Sequence, residues 1–167
     1  EASGRAVFAA MEGSRPVLAE VQALAGQETA GNPRRSIVGW DNARLSMLLA
    51  VFDARCGLRF GMRDVYLSVT GGYRMAEPAG DLAAAAALAS ALLDKPFPAG
   101  SVFFGEVALS GAIRPVGRIE PRLREAARLG FSRAFVPAGA PDTVDGMAVH
   151  GLSRLQDLVD VLGGDSE

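Results

Sequence analysis

The sequence contains 167 residues, of which 49% are hydrophobic and 22% are charged, and its formal net charge is −2. These values predict a globular domain with a hydrophobic core and exclude a disordered chain. The longest apolar run, residues 82–93, is shorter than the ~18 residues that a membrane helix needs, so we expect no membrane partner. Cys56 is the only cysteine, which excludes an internal disulfide and favours a cytoplasmic location. We interpret residues 1–167 as a single domain with its core over residues 5–163 and a flexible tail over 164–167.

The first half of the chain predicts four strands and one helix. The helix begins after Asp41, whose carboxylate can cap it, and ends at Gly57. One face of this helix is apolar and consists of Leu45, Leu48, Leu49, Phe52 and Cys56. The strands are predicted over residues 5–11, 16–24, 34–40 and 65–70.

The second half begins with an alanine-rich segment, residues 81–93, which predicts a helix. Its small side chains let a helix lie close against a sheet, so we expect it to be buried. Ser110 and Gly111 predict a hairpin turn, and two further helices are expected, one ending at Gly130 and one capped by Ser153. Strands are predicted over residues 102–109, 112–116, 134–136 and 147–150. Because strands and helices are interleaved irregularly, the predicted fold class is α/β (α+β).

Two common kinds of site do not fit the sequence. A P-loop ends in Gly-Lys-Ser/Thr, and the only lysine, Lys95, follows Asp94. A zinc site needs several ligands at short spacing, whereas His150 is the only histidine and Cys56 has no partner cysteine. We therefore expect no cofactor or metal in this chain and interpret His150 as a structural residue in a strand.

Three carboxylates, Glu77, Asp81 and Glu106, flank glycine-rich turns, where active sites often lie. Structural roles are the alternative. Asp81 can cap the alanine-rich helix, and Glu106 can be a polar position in a strand. We favour the structural roles.

The basic residues are unusual in type, because all but one of the seventeen are arginine. Arginine forks suit phosphate oxygens, and such contacts bind DNA without reading its base sequence. In the alternative interpretation they only solvate helix surfaces, with Glu120 pairing with Arg124 four residues on. The candidate DNA contacts are Arg34, Arg35, Arg44, Arg118, Arg122, Arg124 and Arg128.

Two long segments resemble Lon peptidases. Residues 71–83 read GGYRMAEPAGDLA and, followed by the alanine-rich helix, are similar to the segment that carries the Lon nucleophile. Residues 105–117 read GEVALSGAIRPVG and are similar to the hairpin before the catalytic lysine, and the match continues through residues 118–127. The resemblance runs over nearly the whole chain. It implies the two-layer α/β fold that also occurs in the second domain of ribosomal protein S5.

Shorter segments resemble the version of this domain that ends the proteins of the bacterial RadA (Sms) family. They are GSRP at residues 13–16, PRR at 33–35 and DNARL at 41–45. Lon peptidases use a serine nucleophile activated by a lysine base. The resemblance places the serine position at Ala79 and the lysine position at Glu120. It therefore implies a chain that is not an enzyme, since alanine offers no nucleophile and a carboxylate reverses the required charge.

The RadA resemblance also implies a role. The family is a DNA-dependent ATPase that drives branch migration in recombination and DNA repair and assembles as a hexameric ring. This chain would then be the oligomerisation and DNA-contacting domain, with itself, single-stranded or branched DNA and a RecA-like ATPase domain as partners. The ATP, Mg and Zn of the family would bind to other domains.

Two alternatives remain open from the sequence. One is an active peptidase with a displaced dyad, formed by Ser90 or Ser110 with Lys95. The other is a small-molecule-binding domain of the same fold. Self-association is expected to involve Trp40, exposed apolar residues near Phe60 and Met62, and the arginine-rich surfaces, because aromatic residues and arginine are enriched at interfaces.

Overall fold

The computed structural model describes residues 2–164, and these form a mixed α/β structure with ten strands and four α-helices. The expected flexible tail lies outside the described residues apart from Gly164. The strands are β1 Arg5–Glu12, β2 Arg15–Glu28, β3 Arg35–Val38, β4 Arg63–Val69, β5 Ser101–Phe103, β6 Glu106–Val107, β7 Ile113–Arg114, β8 Arg133–Pro137, β9 Thr143–Val144 and β10 Met147–Leu152. The helices are α1 Asn42–Val51, α2 Asp81–Leu93, α3 Ile119–Arg128 and α4 Leu155–Gly163.

Eight strands form one sheet in the order β3-β4-β2-β1-β5-β8-β10-β9, and β6 and β7 form a separate hairpin. The β1–β2 hairpin is antiparallel, with Arg5 opposite Gln22 and Glu12 opposite Arg15. The neighbours β1–β5, β5–β8, β8–β10 and β3–β4 are parallel. Parallel neighbours need a crossover connection, and the helices supply the longer ones. The mixed α/β class predicted from the sequence is confirmed.

Helix α2 lies at the centre of the molecule, and every residue from Asp81 to Ser90 is buried. It packs against β1 and β2 and also contacts α1 and α4. A helix surrounded in this way has no solvent face, which explains why its sequence is almost entirely small and apolar. The predicted burial of residues 81–93 is confirmed for most of the helix.

The ends of α1 follow the sequence closely. The Asp41 carboxylate accepts a hydrogen bond from the Ala43 backbone N–H at 2.9 Å, so the predicted cap is confirmed. The helix continues as a π-helical turn, Phe52–Cys56, and ends at Gly57, which has a left-handed φ of 67°. The Cys56 side chain is half-buried against the core, and burial raises the pKa of its thiol.

The predicted long hairpin over residues 102–116 is divided. Its first part, β5, joins the large sheet, and only β6 and β7 pair as a hairpin. The chain turns at Gly105, whose backbone N–H donates to the Ala79 carbonyl at 2.9 Å and whose carbonyl accepts from the Leu82 N–H at 3.0 Å. A side chain at Gly105 would also crowd Ile113, at 3.1 Å. The strand therefore breaks where its backbone binds the start of α2.

Two other predictions were wrong. The cap of α4 is not the Ser153 side chain, because the Asp157 carboxylate accepts from the backbone N–H groups of Ser153 and Arg154, both at 3.0 Å. Trp40, which was expected at a self-association interface, is buried in the core. In the region near Phe60 and Met62, Phe60 is also buried, whereas Met62 is exposed. Within residues 2–164, no helix is both long and apolar enough to cross a membrane.

Candidate functional site

A cavity of about 220 Å³ lies where the resemblance to Lon peptidases predicts an active site. Ala79 is buried there, in the 3-10 turn Pro78–Gly80 that leads directly into α2. Its methyl group takes the position at which the resemblance expects a serine hydroxyl. The cavity is lined by Glu77, Pro78, Ala79, Glu106, Pro115, Val116, Gly117 and Arg122.

The basic residue at this cavity is Arg122, and Glu120 is not among its lining residues. Glu120 lies on the exposed face of α3, where its carboxylate pairs with Arg124 at 3.3 Å. Residues two positions apart on a helix point in nearly opposite directions, so the two side chains cannot share one site. Ala79 and Glu120 remain the positions that the resemblance assigns to the dyad, but the α3 side chain that lines the cavity with Ala79 is that of Arg122.

Arg122 is held on several sides. Its side chain is only 3% exposed. Its Nε donates to the Gly117 carbonyl at 3.0 Å, its Nη1 to the Ala9 carbonyl at 2.7 Å, and its Nη2 to Glu77 Oε1 at 2.6 Å. The guanidinium also lies 6.0 Å from the ring centre of Phe8 and 5.5 Å from that of Phe104. These contacts give it a structural role and remove it from the candidate DNA contacts.

The Glu77–Arg122 ion pair completes an open edge of β1. Strand β5 pairs with β1 only at Val7 and Phe8. Beyond that point, Arg122 donates to the Ala9 carbonyl, and Glu77 Oε2 accepts from the Met11 N–H at 2.9 Å. Buried backbone groups need such partners, so the two side chains replace the ladder that β5 no longer provides.

This arrangement lacks the parts of a Ser-Lys dyad. Ala79 has no hydroxyl group, and a guanidinium stays protonated in proteins, so Arg122 cannot accept a proton as a lysine base does. Burial and the nearby carboxylates of Glu77 and Glu12 raise the pKa of the Tyr73 hydroxyl, which therefore stays neutral.

Asp81 and Arg44 form a second ion pair beside the cavity, in which the carboxylate is fully buried and the arginine side chain is 31% exposed. The Asp81 carboxylate accepts from Arg44 Nε at 2.7 Å, from Arg44 Nη2, and from the Val107 N–H at 3.0 Å. Burial raises the pKa of Asp81, although Arg44 and the Val107 N–H oppose the rise. Asp81 is the first residue of α2, and Gly80 occupies the cap position, so the capping role expected for Asp81 is wrong. Arg44 is committed to Asp81 and is a weak candidate for DNA.

The displaced dyad does not assemble. The Ser90 hydroxyl is buried, accepts from the Gly4 N–H at 2.8 Å and donates to the backbone carbonyl of Lys95. It therefore contacts the backbone of Lys95 and not its amine. Ser110 lies in the exposed turn of the β6–β7 hairpin, where its hydroxyl accepts from the Ala112 N–H at 3.3 Å.

The other candidate arginines differ in how far they are neutralised. Arg124 pairs with Glu120, and Arg128 pairs with Glu125. Arg35 donates to the Gly61 and Arg63 carbonyls. Arg34 and Arg118 are exposed, and within residues 2–164 neither guanidinium has an ion-pair partner. The Asp64 carboxylate lies near Arg34, but it accepts a hydrogen bond from the Arg34 backbone N–H, at 2.7 Å, and forms no ion pair with the guanidinium.

His150 and the possible metal ligands give no site. The His150 ring is stacked on Phe135, with ring centres 5.1 Å apart, as expected for a structural residue. Among residues 2–164, no cluster of three His, Cys, Asp or Glu side chains is arranged to hold a metal ion. The sequence had singled out Glu77 and Asp81 but gave no sign of their arginine partners, which lie far away along the chain.

Comparison with known proteins gives a consistent group of relatives. The family model described as subunit ChlI of Mg-chelatase matches residues 28–140. DNA repair protein RadA of Brucella abortus is 56% identical over 137 residues, which cover 82% of this chain and 29% of that protein. The proteins of the same name from Rickettsia felis and Streptococcus pyogenes serotype M1 are 48% and 43% identical and cover 95% and 96% of this chain. The chain spans about a third of the length of these relatives.

Proposed function

Because this chain belongs to the RadA family of DNA repair proteins and corresponds to their C-terminal region, we propose that it is a non-proteolytic oligomerisation and DNA-contacting domain. Its residues 28–140 also match the ChlI family model. The full-length protein would be a DNA-dependent ATPase that promotes branch migration in recombination. The proposal follows the RadA relatives, which match most of the chain. The fold of this chain would be of the Lon-protease-like type that also occurs in the second domain of ribosomal protein S5. The chain would form one domain with its core over residues 5–163.

One observation carries the non-proteolytic part of the proposal. The cavity at the start of α2 contains a methyl group at Ala79 and an ion-paired guanidinium at Arg122, where a Lon peptidase needs a hydroxyl and an amine. Both side chains are built into the packing. These two side chains support the proposal that the domain has no peptidase activity and contributes to ring assembly.

The ring itself belongs to the full-length protein. Its partners would be further copies of this chain, the RecA-like ATPase domain and single-stranded or branched DNA, in the cytoplasm. ATP, Mg and Zn would bind to the other domains of the same protein. No membrane partner is proposed.

The DNA-contacting surface would be centred on arginines that are free of carboxylates. Arg34 and Arg118 meet this condition, and Arg35 lies next to Arg34 with only backbone carbonyls as partners. Arg124 and Arg128 would have to break an ion pair to bind phosphate, so they rank lower. Phosphate contacts fix position and do not read sequence.

The experiment for DNA contact is single-stranded DNA binding at several salt concentrations, with full-length protein carrying Arg34→Ala and Arg35→Ala. Each lost phosphate contact should flatten the plot of log affinity against log salt by about 0.7 units on single strands. The matched control is Arg59→Ala with Arg154→Ala, two exposed arginines outside the candidate set. If both pairs change the slope equally, or the first leaves it unchanged, Arg34 and Arg35 do not contact DNA.

The non-proteolytic part has its own test. Wild-type chain and an Ala79→Ser variant should both fail to cleave casein or a fluorogenic peptide, because restoring the hydroxyl does not supply a base. Turnover that is lost on Lys95→Ala would contradict this part of the proposal and favour the displaced dyad.

A further inference from the structure

Part of one face of the sheet is uncovered. Strands β2, β4 and β3 form a groove of about 360 Å³ on this face. At its centre, the side chains of Leu24 and Val38 are 61% and 62% exposed. An apolar patch of this kind on a domain marks a surface that another part of a protein covers. The groove is lined by Gln22, Ala23, Leu24, Ser36, Val38, Tyr66, Leu67 and Ser68.

The chemistry of the groove fits protein better than nucleic acid. None of its lining residues is charged. The charges nearest to it on this face are of both signs. Glu20 and Arg5 form an ion pair. Arg34 and Asp64, which lie two residues before the lining residues of β3 and β4, are also opposite in sign. DNA binding depends on cations that neutralise phosphates, and this groove offers none. An apolar centre with neutral polar groups and a charged rim is the usual composition of a protein–protein interface.

The chain enters the domain beside this groove. The Gly4 carbonyl accepts from the Ala23 N–H at 2.7 Å, next to Leu24. Ala2 lines a cavity together with Arg5 and Glu20 of the groove face. Ser3 and Gly4 donate to Asp94 and Ser90, at the end of α2 on the other side of the sheet. The relatives are about three times as long as this chain, and this chain is their C-terminal region. The preceding polypeptide therefore emerges at the end of the sheet where β1 begins, within reach of the uncovered face.

We propose that the part of the full-length RadA chain that precedes residue 1 packs on this face, over Leu24, Val38 and Tyr66. The connection raises the effective concentration of the two parts, so a small interface is sufficient to keep the face covered. This inference rests on membership of the RadA family. It does not require the proposed DNA contacts, although Arg34 lies at the rim of the same face, two residues before Ser36.

The test is thiol labelling of full-length protein with a maleimide, quantified by mass spectrometry on the peptide that contains each introduced cysteine. Val38→Cys and Leu24→Cys probe the face, and Leu109→Cys is the control, since Leu109 is 70% exposed on the β6–β7 hairpin. All three carry Cys56→Ala. Cysteines on the covered face should react at least about tenfold more slowly than the control, because labelling requires the two parts to separate.

Dilution identifies what covers the face. Protection that persists when sedimentation shows single protomers supports the preceding segment, which is covalently attached. Protection that disappears on dilution would assign the face to a second copy and overturn the proposal. Equal rates for both face cysteines and the control would also overturn it, because the face would then be open. Neither result bears on DNA binding or peptidase activity, which are measured separately.

Discussion

At the scale of single residues, Glu77 and Arg122 stabilise the edge of β1, although charged residues usually lie on the surface. Their carboxylate and guanidinium satisfy the Met11 N–H and the Ala9 carbonyl at the point where β1 loses its neighbour. Removing an exposed arginine lowers stability little, because water can hydrogen-bond to its former partner. Removing a buried arginine lowers stability more, because its former partners are left without hydrogen bonds.

Arg122→Ala should therefore lower the free energy of unfolding by about 3 kcal/mol or more, because it leaves the Ala9 carbonyl without a donor and the Glu77 carboxylate without its positive partner. Arg124→Ala, on the exposed face of the same helix, should lower it by less than about 1 kcal/mol. Urea unfolding of both variants measures the difference. Similar losses in the two variants would mean that the buried pair contributes no more than the exposed one.

Arg44→Ala should make stability depend on pH in a definite direction. Removing Arg44 raises the folded pKa of the buried Asp81 carboxyl further above its usual value of 3.8. The folded state then binds the proton more tightly than the unfolded state, so stability falls as pH rises through the folded pKa. The variant should be nearest to wild type in acid and about 3–5 kcal/mol below it at neutral pH.

Denaturant unfolding over a series of pH values measures this effect. Arg124→Ala is the control again, since its partner Glu120 is exposed and needs no compensation. A stability difference between Arg44→Ala and wild type that stays constant with pH would show that Arg44 does not govern the ionisation of Asp81.

At the scale of elements, α2 determines how closely the layers approach. Its alanines are buried on all sides between the sheet and the helices α1 and α4. A close-packed interior has no spare volume, so larger side chains must displace backbone.

Ala85→Leu should therefore lower the free energy of unfolding by about 1–3 kcal/mol, although leucine is nearly as good a helix former as alanine. Ala50→Leu makes the same change at an exposed position of α1 and should stay within about 0.5 kcal/mol of wild type. Thermal or urea unfolding distinguishes the two. Equal effects would indicate that helix propensity, and not packing around α2, sets the stability.

At the scale of the whole molecule, the proposed ring predicts self-association. Sedimentation of the full-length protein should show a mass that increases with concentration towards a closed oligomer, because subunit contacts are concentration-dependent. The expected interface no longer includes Trp40 and Phe60, which are buried within the protomer. A strictly monomeric profile at high concentration would contradict the proposed role as a ring-forming domain.

The sequence determined the local features of this protein. Asp41 capped α1, Gly57 ended the turn that follows it, and the alanines of residues 81–93 formed a buried helix. These features depend on interactions between residues close together in the chain, so composition and spacing were enough to predict them. The family resemblance likewise located Ala79 at the start of α2.

Only the tertiary structure decided which side chains meet. Glu77 and Arg122 are 45 residues apart in the sequence, and Arg44 and Asp81 are 37 apart. No local pattern pairs them. The resemblance to Lon peptidases places the lysine position at Glu120, although Arg122 is the residue of α3 that lines the cavity. The face of a helix that points inward is set by the sheet it packs on. The sequence could not predict the uncovered groove of β2, β3 and β4 for the same reason, since its residues come from three strands that only the folded chain brings together.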